Sequence, residues 1–166
     1  MLTSPFGELT LTSDGEFLTG LEFGGREPGG ATRDARPFDA AAEQLDAYFA
    51  RERTSFDVPI APAGTPFQRR VWGSLQTIPY GTVTTYTDLA RRIDAPAAVR
   101  AVGRANATNP IAIVVPCHRV VGRDGALRGF RGGVQRKAQL LALEGWSASE
   151  RAAEPGGVTP ADRSPA

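Results

Sequence analysis

Ile113-Val-Val-Pro-Cys-His-Arg-Val-Val121 sets the only cysteine of this chain, Cys117, beside its only histidine, His118, within a β-branched run. The only lysine, Lys137, follows closely, so the three rarest reactive side chains fall within 21 residues. A thiol next to an imidazole can be activated as a nucleophile. Neighbouring side chains point to opposite faces of a strand and lie about 100° apart on a helix. Direct Cys117–His118 contact therefore needs a bend, for which Pro116 is the candidate, or a bridging water. An unperturbed thiol is only about 3% ionised at pH 7. On these residues alone, a buried inert thiol beside a satisfied imidazole stays open.

Upstream, the spacing predicts two short helices, residues 87–93 and 97–107, joined through Asp94-Ala95-Pro96 as a helix-turn-helix. The second helix offers Ala97, Ala98, Ala101, Gly103 and Ala105 with Arg100 and Arg104 projecting. It has few long polar side chains of the kind that read base edges in a major groove. Small residues suit close approach to a nucleic-acid backbone, and arginine suits phosphate or a place in the base stack. Packing of the small face into a core is an equal alternative. Before this pair, Thr65 and Pro66 read as N-cap and first residue of a helix with Phe67, Val71, Leu75 and Ile78 at helical spacing, ended by Pro79-Tyr80-Gly81. After the cysteine come a β-turn at Gly122-Arg-Asp-Gly125, a glycine-rich loop over 129–133 and a closing helix over 134–143. The run 111–115 is β-branched, a composition that strands favour.

Towards the N-terminus, residues 6–12 and 16–23 flank Ser13-Asp14-Gly15 and read as a hairpin, and 37–50 as a helix with Phe38, Ala41, Leu45, Tyr48 and Phe49 on its apolar side. Pro59-Ile-Ala-Pro-Ala-Gly-Thr-Pro66 is the linker candidate. Charge divides there as well. Residues 1–62 carry 5 Arg against 11 Asp and Glu, whereas residues 63–146 carry 12 Arg and Lys against 4 acids. The net charge of +1 thus conceals an acidic front and a basic back suited to a polyanion. Hydrophobic content of 41% and charged content of 22% are those of a globular protein. No apolar run is long enough to span a bilayer, and no signal core follows Met1, so a cytoplasmic protein is expected. One cysteine forms no intramolecular disulfide, and one cysteine with one histidine cannot close a four-ligand structural zinc site.

The chain closely resembles the O6-alkylguanine-DNA alkyltransferase family, the methylated-DNA-protein-cysteine methyltransferases. The resemblance rests on Pro116-Cys-His-Arg-Val120, on Phe67-Gln-Arg-Arg-Val-Trp72 with Ile78-Pro-Tyr-Gly81, and on Arg100-Ala-Val-Gly103 leading to Asn109-Pro110. It covers about residues 1–146 and is strongest from 65 onward. It implies an α+β protein: a small N-terminal α/β domain over 1–62, a mainly helical DNA-binding domain with a winged helix-turn-helix over 63–146, and a disordered tail over 147–166.

Carried over by motif, the resemblance makes Cys117 the nucleophile and His118 its base through a water, with Glu144 orienting the base. Tyr86 becomes a donor to the guanine ring, and Lys137 supports that tyrosine and the base. Arg100 fills the stack after a nucleotide is extruded, and Asn109 is the hinge between recognition helix and active-site strand. Ala101 and Arg104 contact DNA, and Phe130 lines the pocket where many relatives carry tyrosine. The implied activity is irreversible, single-turnover transfer of an alkyl group from O6-alkylguanine in double-stranded DNA to Cys117 after base flipping. O4-alkylthymine stays open as a further substrate, as does cooperative loading of an otherwise monomeric protein. No metal or diffusible cofactor is expected. Three other readings compete: a lesion-binding relative without repair activity, which Cys117 disfavours; a helix-turn-helix regulator, disfavoured by the small-residue helix; and a cysteine hydrolase, disfavoured by the Cys-His geometry.

Overall fold

The computed structural model describes residues 1–24, 29–30, 34 and 36–147. Most of the tail expected to be disordered, residues 148–166, lies outside the described residues. The front of the chain is an antiparallel meander of β1 (Leu2–Ser4), β2 (Gly7–Ser13) and β3 (Leu18–Phe23) in that order. The expected hairpin is β2–β3, with a register irregularity at Thr12/Ser13 and Gly15 at φ 106° in its loop. β1 is an addition that the sequence pattern did not signal. The expected first helix is a 3₁₀ turn, Arg36–Phe38, followed by α1 (Asp39–Phe49). Its buried residues, Ala41, Leu45 and Tyr48, recur at steps of four and three, the spacing of one helical face.

The back begins with α2 (Pro66–Leu75), whose start is fixed by a reciprocal capping box. The Gln68 N–H donates to the Thr65 hydroxyl at 3.2 Å, and the Thr65 N–H donates to the Gln68 side chain at 2.8 Å. β4 (Thr84–Thr85) leads into α3 (Tyr86–Arg92), capped by Thr85, and α4 (Val99–Ala107) completes the helix pair. α2 packs on α4 closely enough for the buried Trp72 indole to donate to the Ala105 carbonyl at 2.8 Å. Alanine at 105 thus serves packing, whereas Arg100, Ala101 and Arg104 on the same helix are exposed. A 3₁₀ turn, Cys117–Arg119, precedes β5 (Val120–Val121), which pairs in parallel with β4. α5 (Val134–Leu143) closes the fold with the expected bounds. The sheet part of the expected winged motif is limited, among the described residues, to the β4–β5 pair.

The β-branched run 111–115, where the resemblance implies an active-site strand, does not form one. Only Ile111 makes a bridge, and the rest is turn. The cause is Asn109, whose buried side chain accepts from the Ile111 N–H at 3.1 Å and donates to the carbonyls of Val115 at 2.8 Å and Ile111 at 3.3 Å. A side chain that satisfies three backbone groups removes the need for a strand ladder. The segment tightens further at Ile113, a β-branched residue held at φ 70° with the Val114 N–H bonded back to Ala112. Backbone in that region is strained for such a residue.

The two halves are joined along β3. Its free edge receives the linker through Leu18, which exchanges bonds with Pro59 and Ala61 at 2.9 and 3.0 Å. Three residues on, Leu21 exchanges bonds of 2.9 Å with Pro110 and Ala112. The Pro- and Gly-rich linker is therefore docked, and the segment after Asn109 is held by a strand of the front sheet.

Candidate active site

Cys117 lies at the start of the 3₁₀ turn and is only 5% exposed. Pro116, at φ −81° and ψ 63°, supplies the expected bend, and the Cys117 N–H bonds back to Val115 at 2.8 Å. Burial pushes the thiol up from its ordinary pKa, while the Asn109 side chain and the Lys137 charge draw it back. The Asn106 amide, buried on α4, lies 3.4 Å from the Cys117 carbonyl. The thiol is therefore set between the end of the helix pair and the Asn109-held turn.

His118, the next residue, is buried within the protein. Its ring is fully buried, and Nε2 lies 2.8 Å from Glu144 Oε1. With the carboxylate as acceptor, Nε2 carries the proton, and Nδ1 is left as the acceptor nitrogen. Nδ1 is buried with no hydrogen-bond partner among the described residues. Burial pushes the imidazole down from its ordinary pKa, against the pull of Glu144, so the neutral base is the resting form.

Glu144 is 5% exposed, at the end of α5, where a solvated charge is the local expectation. Its Oε1 accepts from Tyr48 Oη, His118 Nε2 and Arg119 Nη2, each at 2.8 Å. Its Oε2 accepts from Arg119 Nε at 2.9 Å and from the Gly81 N–H at 3.2 Å. Burial alone would raise this carboxyl, but the hydrogen bonds from His118 and Arg119, with the Arg119 charge, prevail and hold it at about 2.

Lys137 is fully buried on α5, not exposed on a helix face. Its Nζ donates to the carbonyls of Val120 and Arg128, both at 2.6 Å, and sits 5.9 Å from the centre of the Tyr86 ring. Burial lowers its pKa to about 8. Tyr86, first residue of α3, donates its hydroxyl to the same Arg128 carbonyl at 2.9 Å. Burial and then the nearby Cys117 raise its pKa. Phe130 is 8% exposed and packs edge-on against Phe23 of β3, with ring centres 6.3 Å apart. Cys117, His118, Glu144, Lys137, Tyr86 and Asn109 are thus gathered around one turn. Arg100, Ala101 and Arg104 instead form the solvent face of the neighbouring α4.

Residues 66–146 match the domain described as 6-O-methylguanine DNA methyltransferase, DNA binding domain, and residues 1–62 match the ribonuclease-like domain of the same family. The chain belongs to the 6-O-methylguanine DNA methyltransferase family. A relative, the methylated-DNA–protein-cysteine methyltransferase of Mycolicibacterium paratuberculosis, is 54% identical over 145 residues, covering 85% of this chain and 88% of the relative. The enzyme of that name from Methanosarcina acetivorans is 48% identical over 147 residues, covering 86% and 94%. Among solved structures, Mycobacterium tuberculosis OGT in complex with DNA superposes with a TM-score of 0.82 at 51% identity, covering 86% of this chain and 89% of that one.

Two residues of this candidate site escaped the reading of the sequence. Arg119 carried a signal: an arginine bracketed by Val114, Val115, Val120 and Val121 enters an apolar environment and must be paired there. Its Nη1 also donates to the Ile78 carbonyl at 2.7 Å. Tyr48 carried none, because the helical period marks it as buried without saying what its hydroxyl meets.

Proposed function

We propose that the chain repairs DNA by moving an alkyl group from O6 of guanine to Sγ of Cys117, once per protein molecule. The observation that carries this reading is the pairing of His118 Nε2 with Glu144, which leaves Nδ1 as a buried acceptor, without a partner among the described residues, in the residue next to the single cysteine. A water joining Nδ1 to Sγ takes the thiol proton, so the divergence of adjacent side chains is no obstacle. Lys137 favours the thiolate so formed. The thiolate attacks the methyl carbon, the C–O6 bond breaks, and its electron pair passes to the guanine ring. Guanine anion is a poor leaving group, so Tyr86 gives its hydroxyl proton to the base, turning from the Arg128 carbonyl to do so. General acid catalysis of this kind contributes typically about 10² to 10⁴-fold. The product is a thioether, which has no leaving group for hydrolysis, so the protein is consumed.

The target carbon is hidden in duplex DNA, and the base must leave the stack before reaction. We place α4 against the minor groove, with Ala101 at the backbone, Arg104 on phosphate and Arg100 filling the gap. A helix with so few base-reading side chains suits damage that arises in any sequence. The solved complex of the 51% identical relative with DNA supports DNA as the partner. No helix of the described residues is long and apolar enough to cross a membrane. The protein acts in the cytoplasm as a monomer.

Incubation with duplex carrying O6-methylguanine should add one methyl mass to the Cys117 peptide, with a burst no larger than the protein concentration. Cys117→Ser should abolish it, and sustained turnover would refute the mechanism. The same assay with O4-methylthymine, and with Phe130→Tyr, reads substrate range and whether a loop hydroxyl speeds transfer.

A further inference from the structure

Tyr48 is the only side chain of the front region bonded to the carboxylate beneath His118, among the described residues. It lies 96 positions from Glu144 in sequence, is fully buried, and donates its phenolic O–H to Oε1 at 2.8 Å. Aromatic neighbours fix its ring: Phe49 at 5.4 Å, Phe56 at 5.4 Å and Tyr80 at 6.1 Å between centroids. A buried phenol needs an acceptor, and any backbone carbonyl would satisfy it. Here the acceptor is the very oxygen that holds the imidazole.

Oε1 receives three donors at one distance, and a carboxylate oxygen offers about two lone-pair directions. Three donors therefore compete for one charge, and each weakens the hold of Oε1 on the other two. Arg119 and Gly81 fix the second oxygen from within the back region, so Tyr48 is the contribution the front region makes to this balance.

We propose that Tyr48 is a positioning residue of the transfer site, fixing the Glu144 carboxylate and withdrawing charge from Oε1 so that the His118 relay is weaker than Glu144 alone would make it. This rests on the relay reading given above. The charged and titratable groups around the His118–Glu144 pair are Tyr48 from α1, Tyr80 from the turn after α2, Cys117 and Arg119 from the 3₁₀ turn, and Lys137 from α5. Burial, followed by the Glu144 charge, raises the Tyr48 pKa far out of the working range, so it is a neutral donor at every pH of interest. Tyr48→Phe keeps the ring and leaves Oε1 with two donors, so no buried polar atom is orphaned and the fold should persist.

The single histidine makes the test direct, because only one imidazole signal exists in the full chain. In Tyr48→Phe the Nε2–H proton resonance of His118 should move downfield, reporting a stronger bond to Glu144. Replacing Tyr48 by 3-fluorotyrosine, a stronger donor of nearly the same shape, should move it upfield. Phe49→Leu, which loosens the same aromatic cluster without touching the bond, should leave it in place. Single-turnover transfer by Tyr48→Phe should slow about three- to tenfold on the acid side of its pH profile, because a more basic imidazole is protonated sooner, and should be no slower than wild type on the alkaline side, where that imidazole is neutral. An unmoved resonance in both Tyr48 variants, or a shift reproduced by Phe49→Leu, overturns the proposal. If the resonance moves as stated while Cys117 takes no alkyl group from DNA, Tyr48 keeps its positioning role and the repair reading fails.

Discussion

The front and back of this chain contribute to the site in unlike ways. The back holds every side chain proposed to touch the reacting atoms, set on short elements around the 3₁₀ turn at Cys117. The front holds none of these, yet it touches the site's supports, with Tyr48 on Glu144, Leu21 on the segment after Asn109, and Phe23 under Phe130. Reactive groups occur in dense local motifs because their spacing is set by chemistry. Supports come from anywhere in the chain, since any element of suitable shape and polarity can supply them. A charge boundary near residue 62 marks where composition changes, and the supports cross it freely.

The most severe way to break this arrangement is at the carboxylate where both regions meet. Glu144→Ala leaves buried Arg119 without its counter-ion and His118 Nε2 without its acceptor. Removing one partner of a buried ion pair costs about 3–5 kcal/mol. Urea unfolding should show a loss in that range, and a loss below 1 kcal/mol would mean that the front and back are not joined through this residue.

Acid titration measures the same junction without mutation. The folded Glu144 carboxyl, at about 2, lies below its ordinary 4.5, so its stabilisation is complete above the unfolded value and is lost as pH falls from 4.5 towards 2. The difference corresponds to on the order of 3 kcal/mol. His118 acts in the same direction at higher pH. Its pKa is lowered by burial, so the unfolded imidazole binds a proton near 6.5 that the folded one refuses, and stability already begins to fall below that pH. Unfolding free energy followed from pH 7 to pH 3 should decline in these two stages. Glu144→Gln should flatten the lower stage, and an unchanged slope would show that other carboxyls govern acid unfolding.

Much of the back was legible in the sequence, for local reasons. Thr65, Pro66 and Gln68 fix the start of α2 by bonds within one turn, and the period of 134–143 yields α5 with correct bounds. The run 111–115 misled, because β-branched residues favour a strand only while the backbone seeks a ladder, and the Asn109 side chain had already taken those bonds. Glu144 was legible only through the resemblance, since its partners lie 25, 26 and 96 positions away. Tyr48 was legible as one of the residues on the packed side of its helix, whereas the partner of its hydroxyl lies 96 positions away and left no local signal.

A subtler break lies at the loop over 129–133. A Cβ on Gly132 would lie 2.6 Å from a Phe130 ring carbon and 2.8 Å from one of Phe23, so one ring must move. Gly132→Ala should therefore cost about 1–3 kcal/mol by overpacking. It should also slow transfer, because Phe130 is displaced from the pocket side of the loop. Combining it with Phe23→Leu, which frees space from the front, should recover part of both losses. Additive losses would show that the loop is set by the back region alone.

The smallest effect concerns the other tie between that loop and the front, the ion pair of Arg131 with Glu22 at 2.7 Å. Its side chains are 60% and 34% exposed, so water and salt screen the attraction and two long side chains must be ordered to make it. Glu22→Gln should change unfolding free energy by less than about 0.5 kcal/mol. Removing an acid near the basic loop should nevertheless strengthen association with duplex DNA modestly, and more at low salt than at high, because a phosphate polyanion senses the net charge of that face. Fluorescence anisotropy with unmodified duplex across a salt series separates the two. A tighter Kd at low salt with unchanged stability assigns Glu22 an electrostatic influence on DNA alone. A large stability loss would instead make this exposed pair a true fastener between front and back, equal in kind to Tyr48 on Glu144.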